Sequence, residues 1–124
     1  MTARCCCGAC TIEVAGAPVM NAICHCDNCK RRTGSAFGWS VYVVDEQVIG
    51  QSGALGCYEI PAREQRRWFC TVCGTTLFWK IDSQPGRTGI AGGCFVEPLP
   101  APTRSVVNQG RLAWACTNIQ DFGA

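Results

Sequence analysis

Histidine occurs once in these 124 residues, at His25, which excludes a metal site built chiefly on imidazoles. Charge is scarce too. Charged residues make up 16% of the chain and leave a net charge of +2, too weak an excess to argue for a nucleic-acid partner. No apolar run approaches the roughly 18 residues of a membrane-crossing helix, so no membrane partner is expected. The opening Met1-Thr2-Ala3-Arg4-Cys5 lacks the apolar core of an export signal, and the cytoplasm is the expected location. No segment carries a long helical period, and there is no internal repeat or low-complexity tract.

Cysteine, by contrast, is abundant: there are 12. In a short secreted chain that density would suggest a disulfide scaffold. Spacing favours metal here. Cys5-x-Cys7, Cys24-x-Cys26-x-x-Cys29 and Cys70-x-x-Cys73 are ligand spacings, and the export signal that would favour disulfides is missing. In a reducing compartment the thiols persist as zinc ligands or as small buried hydrophobes. A hydrophobic content of 48% over this length supports one domain spanning residues 1–124.

Along the chain, alternation of Ile12 and Val14 with Thr11 and Glu13 predicts a strand over 9–14. A turn at 15–18 would return residues 19–23 antiparallel to it, and the loop 24–29 would follow at the exit. Residues 30–35 read as a short helical turn or loop. Strands are expected over 37–44, 48–51, 55–60, 75–81, 88–95 and 104–107, with a charged approach at 63–67 and a turn at 82–86. Trp114 and Phe122 would anchor the tail. The expected fold is all-β, with short antiparallel strands in two small sheets stapled by zinc.

A cysteine knuckle needs its backbone to turn back onto the sulfurs, and a glycine after the second cysteine permits that turn. Cys7-Gly8 and Cys73-Gly74 have it, while Cys29 is followed by Lys30. This groups Cys5, Cys7, Cys70 and Cys73 as one closed tetrahedron, with Cys6 a competitor for the place of Cys5. Cys24, Cys26 and Cys29 remain as three ligands around a metal whose fourth position is open, the arrangement catalytic zinc requires. Cys10, Cys57, Cys94 and Cys116 stand singly and read as buried small residues. His25 competes with its neighbours for ligation, and a substrate-facing role and a structural one both stand for it. Lys30, Arg31 and Arg32 either form a solvated face or offset the thiolates and meet a substrate carboxylate. Trp39, Trp68, Trp79 and Trp114 read as core, with one of them able to wall the zinc cleft.

Three stretches resemble a known family: 3–8 (Ala-Arg-Cys-Cys-Cys-Gly), 24–37 (beginning Cys-His-Cys-Asp-Asn-Cys) and 69–79 (beginning Phe-Cys-Thr-Val-Cys-Gly). They are similar to the motifs of the glutathione-dependent formaldehyde-activating (GFA) family and stand in the same order. Trp114 and Asp121-Phe122 resemble its tail. The resemblance implies an all-β fold with a structural zinc on Cys5, Cys7, Cys70 and Cys73 and a catalytic zinc on Cys24, Cys26 and Cys29. It also implies a carbon–sulfur lyase that condenses formaldehyde with glutathione. The chain is shorter than the type enzyme, and Arg104 lies near the place of the family's usual late histidine.

Coordination of a substrate thiol at the open position would favour its thiolate, which would then add to an aldehyde carbon. His25, Lys30, Arg31 and Arg32 are the candidates to contact the thiol compound or move its proton. Two other classes of function fit the cysteines: a non-catalytic zinc module that binds a partner, and a thiol or zinc redox sensor.

Overall fold

The computed structural model describes residues 1–122, the side chain of Arg63 excepted. In chain order the regular elements are β1 (Thr2–Arg4), β2 (Thr11–Val14), β3 (Met20–Cys24), α1 (Asp27–Thr33), β4 (Gly38–Val44), β5 (Val48–Ser52), β6 (Leu55–Ile60), β7 (Gln65–Cys70), β8 (Thr76–Ile81), β9 (Arg87–Ala91) and β10 (Arg104–Val106). They form two sheets. The smaller has three strands in the order β1-β2-β5, and the larger has seven in the order β10-β3-β4-β9-β8-β7-β6. Every pairing between these strands is antiparallel except β10 with β3.

Period-two alternation places the layers. Ala3, Ile12 and Val14 point from the small sheet onto Val43, Phe78 and Ile90 of the large one, and all six are buried. Burying each larger aliphatic or aromatic side chain contributes roughly 1.5–3 kcal/mol. The outer face of the large sheet carries different residues. Register runs Met20, Tyr42, Gly89, Trp79 and Arg67 in one row across five strands, with Cys24 opposite Gly38 at the end of β3. Helix α1 follows β3 directly, so the outer face is where a site can form.

Several expectations are corrected. Residues 11–14 and 20–24 do not form a hairpin: β2 pairs with β1 and β5, whereas β3 pairs with β4 and β10. The turn at 15–18 crosses from one sheet to the other instead of reversing within one. The charged approach at 63–67 runs into strand β7, because Arg66 finds Asp82 at 2.6 Å and Arg67 finds Asn28. The strand expected over 88–95 stops at Ala91, and a 3-10 turn over Gly92–Cys94 follows. Trp114 does not anchor the tail, since it is 74% exposed. Backbone and charge hold that segment, through Phe122 N–H to Ser105 O at 2.8 Å and an Arg111–Asp121 ion pair. Phe122 is half exposed beneath the Arg104 guanidinium. Cys10 is buried and Cys94 half-buried, but Cys57 and Cys116 are exposed. Cys57 lies on β6, the outermost strand of its sheet.

Candidate functional site

Two sulfur clusters form, and they differ in place and in closure. In the first, Cys5, Cys7, Cys70 and Cys73 bring all four Sγ atoms within 4.8 Å of one another. Cys5 and Cys7 lie 3.7 Å apart, as do Cys7 and Cys70. A tetrahedron of thiolates about zinc, with bonds of roughly 2.3 Å, has sulfur–sulfur edges of about 3.8 Å. The cluster fits that ion. Gly8 and Gly74 turn with φ of 82° and 80°, as the knuckles require. Backbone N–H groups point at the sulfurs, from Cys10 to Cys5 Sγ at 3.2 Å and from Val72 to Cys70 Sγ at 3.4 Å. The Thr75 hydroxyl first, and then backbone N–H contacts from Thr75 and Cys7, bring Cys73 down to a pKa of about 5. Cys6 is exposed and outside the cluster, its N–H bound to Thr75 Oγ1 at 3.1 Å.

The second cluster stands where β3 meets α1. Cys24 ends the strand, Cys26 caps the helix and Cys29 lies in its first turn, with the three Sγ atoms again within 4.8 Å. Cys26 Sγ accepts from Cys29 N–H at 3.3 Å, so the cap itself sets the spacing. Gly34 ends the helix at φ 64° and donates to Lys30 O. Sharing protons with Cys24 and Cys26, and then burial, push the Cys29 thiol far up. Three such neighbours resist joint ionisation without a cation between them. The donor set suits a soft divalent ion such as zinc.

This second cluster opens on a cavity of about 760 Å³ over the outer face of the large sheet. Met20, Ala22, Ser40, Tyr42, Trp79 and Ile81 line it together with all three cysteines. Trp79 is the tryptophan that walls the cleft, and its Nε1–H donates to Tyr42 Oη at 3.1 Å. Burial pushes the Tyr42 phenol up.

The basic run divides. Arg32 lines the cavity with its guanidinium 4.3 Å from the Trp79 ring centroid. Lys30 turns away to Gly110 O at 2.8 Å and Asp27 at 3.4 Å, and Arg31 is exposed outside the lining. His25 alternates with its cysteine neighbours and points into the protein. It is fully buried, with Nε2 3.0 Å from Ser105 Oγ. Ser105 Oγ in turn donates to Asn108 Oδ1. Burial, and then the Arg111 charge, push His25 down, so it stays neutral.

Sequence reasoning missed the polar wall. Gln65 accepts from Asn28 Nδ2 at 2.8 Å, and Asn28 Oδ1 accepts from Arg67. Burial and the nearby Arg32 push Arg67 down. No motif marks these residues, which only the register of β7 against β8 and α1 assembles. Among the described residues, no helix is long and apolar enough to cross a membrane.

The sequence profile described as glutathione-dependent formaldehyde-activating enzyme matches residues 1–109. Among solved structures, a Rhodobacter sphaeroides protein from a structural-genomics programme is similar, at 26% identity and a TM-score of 0.66. The match covers 81% of this chain and 92% of that one. No curated protein matches significantly. With the profile covering most of its length, the chain belongs to the glutathione-dependent formaldehyde-activating enzyme family.

Proposed function

We propose that the chain is a two-zinc carbon–sulfur lyase that condenses an aldehyde with a small-molecule thiol. Formaldehyde and glutathione are the pair in the family's name. The observation that carries this reading is a trio of sulfurs opening on a cavity, beside a quartet with closed geometry. Cys5, Cys7, Cys70 and Cys73 then hold a structural zinc, and Cys24, Cys26 and Cys29 a catalytic one. When bound there, zinc supplies a soft acceptor position at which a thiol gives up its proton.

The chain's own residues do the rest. The substrate sulfur forms a C–S bond to the aldehyde carbon, the carbonyl pair moves to oxygen, and that oxygen takes a proton. No oxidant or reductant enters. Trp79 already donates to Tyr42 Oη, which leaves the phenol proton for the cavity, and burial keeps that proton in place near neutral pH. Tyr42 thus donates to the developing oxyanion. Arg32 and Arg67 offset the negative charge of the three sulfurs. Holding both reactants in one cavity lowers the entropic barrier, by roughly 7–11 kcal/mol when alignment is good.

The test is a zinc count paired with an assay. Wild-type protein should carry two zinc ions and consume glutathione with formaldehyde. Cys26→Ser should keep the fold, lose one zinc, and lose at least about 100-fold in rate. Full activity with both metals retained in Cys26→Ser would refute the assignment.

A further inference from the structure

The cavity's chemistry bears on which thiol it takes, an inference that rests on the reading just given. Along β3 the lining runs from Cys24 to Met20, four residues or about 13 Å along the strand. Small residues form its floor, Ala22 opposite Ser40. Tyr42, Trp79 and Ile81 stand above that floor as walls. A volume of about 760 Å³ falls within the roughly 300–1,000 Å³ typical of sites for drug-sized ligands. An aldehyde of two heavy atoms would leave almost all of it empty, so the room is for the body of the thiol.

Beyond the three sulfurs, the cavity carries charge of one sign. Among the described lining residues Arg32 is charged, and none is Asp or Glu. A substrate ammonium held away from the sulfurs would therefore find no carboxylate, while one substrate carboxylate would find Arg32. Arg32 is held for that role beside the sulfurs. A Cβ on Gly38 would stand 2.6 Å from Arg32 Nη2 and 3.0 Å from Cys29 Cβ, so both crowd the same point. Arg32 Nη2 is buried there and finds no hydrogen-bond partner among the described residues, while the residue as a whole lines the cavity.

We infer that the cavity selects a thiol with an apolar body and a single carboxylate near the sulfur, an aryl or branched-alkyl mercapto-acid, over a zwitterionic peptide thiol such as glutathione. The carboxylate lies at Arg32 and the apolar body runs over Ala22 toward Met20 and Ile81.

Calorimetric binding to the zinc-loaded protein tests this without relying on turnover. The probes are 2-mercapto-3-phenylpropionate, 2-phenylethanethiol and glutathione. The mercapto-acid should bind about tenfold tighter than glutathione, and 2-phenylethanethiol, which lacks the carboxylate, should fall between them. Arg32→Met should abolish the gap between the two phenyl thiols and keep their shared apolar preference. Ile81→Gln should weaken both phenyl thiols severalfold. Glutathione binding as tightly as the mercapto-acid would overturn the inference, as would Arg32→Met weakening all three thiols equally or no thiol binding at all. A separate formaldehyde assay keeps the two readings apart. Condensation with glutathione the best-bound thiol sinks this inference alone, and the predicted binding order without condensation sinks the lyase reading alone.

Discussion

Trp79 can lie flat against the large sheet because its cross-strand partner on β9 has no side chain. A Cβ built on Gly89 would overlap the indole at Nε1, Cε2 and Cδ1. Gly89→Ala therefore displaces the wall of the cavity, breaking the bond to Tyr42 and the stacking under Arg32. Overpacking of this kind costs about 1–3 kcal/mol. Urea denaturation should show that loss, and the condensation rate should fall with it, because the donor at Tyr42 moves too. The grouping of cysteines into a quartet and a trio was legible from their spacing and from the glycines after Cys7 and Cys73. Gly89, Tyr42, Gln65 and Arg67 were not. Each depends on sheet register rather than sequence proximity for its neighbours.

Among the elements, α1 is the one on which the site depends most. Its seven residues are too few to be stable alone, so its ends decide whether it holds. Cys26 caps the start and Gly34 the finish, and Gly34 adopts φ 64° with nothing within 4 Å of the point a Cβ would occupy. Gly34→Ala thus meets no clash and costs only the left-handed backbone penalty, about 1 kcal/mol. Fraying would reach Cys29 and Arg32 before it reached the sheets. Thermal melting should change by a few degrees, while zinc affinity at the three-cysteine site falls measurably in a competition titration with a chelator. The sequence showed a turn over residues 30–35 but not that the helix begins at Asp27 and takes in Cys29. The hairpin expected between residues 9 and 23 failed for a related reason. Alternation marks a strand and its buried face, but the pattern is the same whichever strand lies alongside, and here the turn at 15–18 changes sheets.

Across the whole molecule the two clusters carry unequal shares of the fold. The quartet joins the turn after β1, in the small sheet, to the end of β7 in the large one, and Cys5 and Cys70 belong to the shared core. The trio lies on the outer face, and its three cysteines are half-buried. That unequal placement was partly legible, because Gly8 and Gly74 mark closed knuckles in the sequence, while the sheets they join could be known only from the fold. Binding energy at a structural zinc site is folding energy, apparent values in small zinc peptides reaching about 10–16 kcal/mol. A domain's entire stability is roughly 5–15 kcal/mol. Cys70→Ser should accordingly remove cooperative folding or lower the melting temperature by more than about 10 °C. Cys29→Ser should lose the outer zinc and activity with a change of a few degrees at most, since no strand pairing passes through it. Melting both variants by circular dichroism under reducing conditions, with zinc counted in each, checks the contrast. Equal destabilisation would mean that the trio also staples the fold, and a site that must stay closed to hold the protein together could not exchange a ligand at every turnover.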